Sequence, residues 1–267
     1  MAKIDINGVS IHYQIQGEGS ETIVFAHGLL WSGQIFERQI DLFQRRYRCI
    51  SFDFRGQGQT AAPRSGYDIE TLYADTTALI EALSAAPCHF VGVSMGGIVG
   101  LRIAIRKPEM IKSLALFATS ADAESEEKIK RYRTLTFIAK WFGLRLIANK
   151  VMPVMFGKTF LNDPLRAELR RLWRQRLIAN RRIGIARAVI GVVYRDPIYE
   201  QINKISAPTL VAIGDEDLAI SREQANRVHS RIATSKLAMI PRAGHTPTVE
   251  EPAVVNALIE DLLHSVL

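Results

Sequence analysis

With 267 residues and 48% hydrophobic composition, the chain suits one sizeable domain with a full core. Its longest apolar runs are too short for a spanning helix, and Met1-Ala2-Lys3-Ile4-Asp5 leads directly into strand-like sequence with no signal-peptide core, so a cytoplasmic protein without membrane partners is expected. The +7 net charge could suggest a nucleic-acid partner, but the basic residues cluster in one stretch and no binding motif accompanies them, so none is expected; the two cysteines imply no disulfide or metal framework.

In chain order, Ile4 to Asn7 and Val9 to Gln16 read as a hairpin around Asn7-Gly8. Thr22 to Ala26 is a compact apolar strand that ends in His27-Gly28-Leu29. Ile35 to Phe43 has helical spacing, Tyr47 to Phe52 reads as a buried strand, and Asp68 to Leu83 as a helix. Next comes the strand containing His89-Phe90-Val91, then Gly92-Val93-Ser94-Met95-Gly96, a helix from Gly97 to Lys107 and a strand from Ile111 to Phe117. Strands alternating with helices indicate a mostly parallel sheet covered on both faces. Cys49 and Cys88 lie in such strands and read as buried thiols.

From about Asp122 to Glu200 the alternation stops. Only helical periodicity is visible, over Glu124 to Phe142, Leu144 to Phe156, Pro164 to Asn180 and Ile183 to Tyr194. Eight arginines between Arg166 and Arg187 fall among Leu165, Leu169, Leu172, Trp173, Leu177 and Ile178, as on a solvated amphipathic face. Strand and helix signals then return at Thr209 to Ile213, Arg222 to Arg231, Leu237 to Ile240 and Pro252 to Leu267. The expected organisation is a core of residues 1–121 and 201–267 with a helical cap, 122–200, inserted over the sheet's carboxyl edge. Open α/β sheets bind ligands at that edge.

Strand, tight turn and helix meet at Ser94. A serine at such a turn needs small neighbours, which Gly92 and Gly96 supply, and the following helix aims its amide N–H groups at any oxyanion formed above it. Ser94 is therefore the candidate nucleophile. Late in the chain, Gly214-Asp215-Glu216-Asp217 offers three carboxylates after a strand, and His245 sits in the glycine-containing loop Ala243-Gly244-His245.

His27-Gly28, Asp53-Phe54-Arg55-Gly56-Gln57-Gly58, Gly92 to Gly97, Gly214 to Asp217, and Ala243-Gly244-His245 with Glu251-Pro252 follow one another along nearly the whole chain. In that order they resemble the α/β-hydrolase-fold superfamily, within it the branch of 3-oxoadipate enol-lactonases, small esterases and cofactor-free haloperoxidases. One departure is Gln59-Thr60, where the family often has a small residue and serine. The resemblance implies an eight-stranded, mostly parallel sheet flanked by helices. It also implies a chain order of serine, acid, histidine, with His245 as base and an acid after the preceding strand. Asp217 is the first choice of acid; Asp215, then Glu216, and Asp122 after the earlier strand remain alternatives. An oxyanion hole would come from the N–H groups of Leu29 and Met95, with His27 in a structural role.

The chemistry so implied is cleavage of a small-molecule ester or lactone through an acyl-enzyme, with no metal or organic cofactor. Other reactions on the same triad are carbon–carbon bond, thioester or aminopeptidase hydrolysis and perhydrolysis; a non-catalytic receptor on the same fold is a further reading. Trp31, Phe137, Trp141, Phe142, Met152, Met155 and Phe156 are the candidates for an apolar substrate pocket between cap and core.

Overall fold

The structure, a computed structural model, describes residues 2–266. Met1 lies outside the described residues, as does Leu267, the expected end of the closing helix. Eight strands form one sheet: β1 (Ala2–Ile6), β2 (Val9–Gln16), β3 (Thr22–Ala26), β4 (Arg48–Phe52), β5 (Cys88–Val93), β6 (Ile111–Phe117), β7 (Thr209–Gly214) and β8 (Ser235–Ile240). Their spatial order is β1-β2-β4-β3-β5-β6-β7-β8, antiparallel at β1/β2 and β2/β4 and parallel throughout the rest.

Every residue of β3, β5 and β7 is buried. This accounts for their continuous apolar runs, because a parallel strand covered on both faces has no solvent side to alternate toward. Alternate residues still serve opposite faces. Ile23, Phe25, Val91 and Phe117 pack with α1 (Glu37–Phe43) and α11 (Pro252–His264). Val24, Ala26, Phe90 and Leu116 pack with α2 (Ile69–Ala82), α3 (Met95–Arg106) and α9 (Arg222–Arg231). Cys49 and Cys88 are buried free thiols, and burial pushes both up to about 12.

Between β6 and β7 the chain is helical: α4 (Glu126–Phe142), α5 (Ala148–Met155), α6 (Lys158–Asn162), α7 (Ala167–Ala179) and α8 (Arg182–Val193). The expected helix over 144–156 opens instead with a 3₁₀ turn at Leu144–Leu146, and α6 was not anticipated, being only five residues long. The closing helix stops at His264. A short α10 (Pro247–Glu250) precedes it.

The arginine-rich face also differs from expectation. Leu165, Leu169 and Leu172 are exposed, while several arginines tie the helices to the rest of the fold. Arg176 pairs with Glu37 at 2.9 Å, Arg166 with Glu251 at 2.9 Å, and Arg187 donates to the Pro63 carbonyl at 2.6 Å. No helix among the described residues is long and apolar enough to cross a membrane.

Candidate functional site

Ser94 occupies the single residue between β5 and α3, at φ 50° and ψ −113°. A non-glycine residue there is strained, and the surroundings hold it in place. Its N–H donates to the Phe117 carbonyl of the neighbouring strand at 2.8 Å. Glycine is required on either side: a Cβ on Gly92 would lie 2.6 Å from the Gly97 nitrogen, and one on Gly96 would overlap the Ala26 carbonyl oxygen. The half-buried Ser94 hydroxyl thereby stands at the N-terminus of α3.

Two loops converge on it. His245 Nε2 lies 2.9 Å from Ser94 Oγ, and His245 Nδ1 lies 2.9 Å from Asp217 Oδ2. With Nδ1–H donating to the carboxylate, Nε2 is left as the acceptor for the serine proton. The Asp217 side chain is fully buried, and its other oxygen accepts the N–H groups of Ala219 at 2.7 Å and Ile220 at 3.0 Å. Burial opposes charging of His245, but the Asp217 charge and hydrogen bond, with the Glu250 charge, carry its pKa above the ordinary imidazole value.

The rival acids have other partners. Asp215 accepts the Arg242 N–H at 2.7 Å. Glu216 takes both the N–H of Thr159, at 2.7 Å, and its hydroxyl, at 2.6 Å, and Asp122 pairs with Arg227 at 3.0 Å.

The loop after β3 passes directly beside the serine, since a Cβ on Gly28 would stand 3.4 Å from Ser94 Cβ. Among the described residues, the N–H groups of Leu29 and Met95 donate to no acceptor. For Met95 the reason is its place as the first residue of α3. His27 is fully buried; Nε2 accepts the Phe54 N–H at 2.9 Å and Nδ1 meets the Gly28 carbonyl at 2.7 Å, which fixes the loop. Burial holds its pKa below the ordinary value.

A cavity of about 120 Å³ opens beside Ser94 and His245, with Leu135, Ala139, Ile147, Val151, Met155 and Val189 in its walls. Of the expected pocket residues, Met155 lines it. Trp31 and Phe156 do not: they are buried in an aromatic cluster with Trp173 and Phe160, where the rings pack on one another. Trp141 and Phe142 end α4 beside Gly143 and are 61% and 63% exposed. Phe137 is likewise exposed, and Met152 belongs to the core.

Glu250 had given no signal in the sequence beyond its place before Glu251-Pro252. Its carboxylate is buried and accepts three backbone N–H groups: Gly157 at 2.7 Å, Gly244 at 2.9 Å and Thr246 at 3.1 Å. It thus clamps both neighbours of His245 to the segment after α5, and Thr246 Oγ1 adds a bond to the Met155 carbonyl at 2.7 Å. Desolvation raises the Glu250 pKa to about 7 against the opposing pull of those N–H groups. Among the described residues, no group of three or more His, Cys, Asp or Glu is disposed to hold a metal ion.

A family model described as the alpha/beta hydrolase fold matches residues 21–252. The chain belongs to the alpha/beta hydrolase fold family. Among its relatives in the family, 3-oxoadipate enol-lactonase 2 from Acinetobacter baylyi is 26% identical, covering 96% of this chain and 93% of its own. The crystal structure of the enol-lactonase from Burkholderia xenovorans LB400 superposes with a TM-score of 0.92 at 25% identity, over 98% of this chain and 100% of that one. A thermophilic esterase from Thermogutta terrifontis has the same fold, with a TM-score of 0.92 at 23% identity over 100% and 99% of the two chains.

Proposed function

We propose that the protein is a serine hydrolase that cleaves a carboxylic ester or lactone through an acyl-enzyme. The observation that carries this reading is the unbroken hydrogen-bond chain Ser94–His245–Asp217, set beside an apolar cavity. Its family relatives named as enol-lactonases support the reaction class.

In this mechanism His245 Nε2 takes the Ser94 proton as Oγ attacks the carbonyl carbon. Asp217 holds the imidazole in the required tautomer and stabilises the imidazolium, while the N–H groups of Leu29 and Met95 receive the oxyanion. Collapse breaks the bond to the leaving oxygen, which takes the proton from His245. Water, deprotonated by the same imidazole, then attacks the acyl carbon and returns Ser94. Every step is served by side chains and backbone of this chain, and no metal or organic cofactor enters it.

Residues 122–200 act in this reading as a cap on a core formed by 1–121 and 201–267. Cap helices α4, α5 and α8 supply most of the apolar wall, and the core supplies the reacting groups. The test is Ser94→Ala, which should lower kcat by about five to six orders of magnitude toward short-chain esters with an unchanged unfolding midpoint. Ordinary turnover by that variant would refute the assignment.

A further inference from the structure

The cavity beside Ser94 is small and walled mostly by aliphatic side chains; apart from Ser94 and His245, its polar side chains are Glu124, Tyr132 and Thr136 of the cap. Its volume of about 120 Å³ falls below the ~150 Å³ of an apolar protein cavity that accommodates benzene. Away from Ser94 and His245, its lining includes Glu124 and Tyr132 and no lysine or arginine. The Glu124 side chain is 10% exposed, and from behind the wall it faces Arg195 at 3.3 Å and Lys128 at 3.6 Å. Tyr132 is a half-buried phenol whose hydroxyl bonds to no described residue; burial and the nearby Glu124 charge raise its pKa.

These features have a direct consequence for what can enter. A carboxylate on the far end of an acyl group would lose its water and find no free cation, since no lysine or arginine lines the wall and the nearby Arg195 and Lys128 are already paired with Glu124, which is costly. A neutral carbonyl, amide or hydroxyl at that place would meet the free Tyr132 hydroxyl, and leaving a buried polar group unpaired is penalised. We propose that the site takes a compact, uncharged acyl group no larger than about one six-membered ring, and that Glu124 and Tyr132 are the residues that reject a terminal carboxylate and favour a neutral hydrogen-bonding end. The proposal rests on the reading that this cavity is the acyl site of Ser94.

The deciding comparison uses an isosteric pair, ethyl glutaramate and monoethyl glutarate, in which an amide replaces a carboxylate at nearly constant shape. Ethyl butyrate and ethyl decanoate calibrate size. The amide should be hydrolysed at least tenfold faster in kcat/KM than the carboxylate, and butyrate at least tenfold faster than decanoate. Glu124→Gln leaves Arg195 and Lys128 without their countercharge and should reduce the amide-to-carboxylate ratio at least tenfold. Tyr132→Phe, which does not touch the ion pairs and so guards against a folding defect at Glu124, should lower the rate with the amide several-fold more than the rate with butyrate. Equilibrium binding of butyramide and the butyrate anion by titration calorimetry provides a readout independent of turnover, with butyramide expected to bind at least tenfold tighter.

Efficient hydrolysis of all four esters with an amide-to-carboxylate ratio near one would overturn this inference and leave the hydrolase reading standing. Selective binding of butyramide without hydrolysis of any ester would overturn the hydrolase reading and the acyl assignment with it, and leave only the cavity's preference for a neutral ligand. Neither hydrolysis nor selective binding would overturn both.

Discussion

Glu250 is the buried carboxylate on which the His245 loop hangs, and its replacement by glutamine gives a worked prediction. In the folded protein its pKa is held at about 7 in place of the ordinary 4.5. The folded state therefore binds the proton more tightly than the unfolded chain. Stability from this group is fully present below pH 4.5 and is lost as pH rises through about 7. The difference corresponds to about 3 kcal/mol between the two limits. Glu250→Gln cannot titrate, so it lacks that slope whatever its own hydrogen bonds are worth. At pH 4 the protonated Glu250 carries one O–H but keeps acceptor lone pairs on both oxygens, whereas the amide nitrogen accepts nothing from Thr246 or from Gly157 and Gly244, so the variant is expected to be the less stable one at pH 4. Urea unfolding of both proteins from pH 4 to pH 8 measures the effect. The stability advantage of the wild type over the variant should shrink by about 3 kcal/mol across that range, since contributions from all other groups largely cancel in the difference. Parallel curves would refute the argument. A catalytic sign should accompany it: the Glu250 charge helps to raise the His245 pKa, so the acid limb of kcat/KM should move to lower pH in the variant.

Four further outcomes are expected from the same geometry. Asp217→Asn should lower kcat by about 10⁴-fold, because the amide cannot hold His245 in the required tautomer; a larger loss in Asp215→Asn would show the wrong acid has been chosen. In the wild type, kcat/KM should rise with pH through an apparent pKa above 6.5, since His245 acts only when neutral and its pKa is raised; a rate independent of pH between 5 and 8 would contradict the role given to it. Ala139→Leu, which intrudes on the cavity, should shift the preference toward shorter acyl chains by about 1–3 kcal/mol per methylene of misfit. The exposed Trp141→Ala should leave the ratio of specificity constants for short and long esters unchanged.

Much of this was written locally in the chain. The buried parallel strands appear as unbroken apolar runs because both faces are covered, and the turn at Ser94 can be read because its backbone tolerates only small neighbours. What the sequence left open depends on directions set far away. Asp215, Glu216 and Asp217 are adjacent and chemically alike; they separate only because the turn after Gly214 sends one to Arg242, one to Thr159 and one to His245. Glu250 was invisible for a similar reason, since one of its partners is a backbone N–H of Gly157, 93 residues away.

Helix ends and packing decide where the expected pocket residues lie. Trp141 and Phe142 carry the apolar character of wall residues, yet α4 terminates at Gly143 and turns them outward, whereas Ala139, one turn earlier, reaches the cavity. Trp31 and Phe156 were correctly read as apolar and inward, but they pack on other aromatic rings and leave the cavity wall to aliphatic side chains. Periodicity in sequence identifies which residues avoid water and not which neighbour they choose.

The central claim is that Ser94 is a nucleophile activated by His245. A small fluorophosphonate, which reacts only with an activated hydroxyl, tests it most directly when intact mass is followed by peptide mapping. One adduct per chain is expected, on the peptide containing Ser94, absent from Ser94→Ala and formed at least a hundredfold more slowly in His245→Ala. An adduct on another residue, or labelling of Ser94 at the same rate without His245, would contradict it.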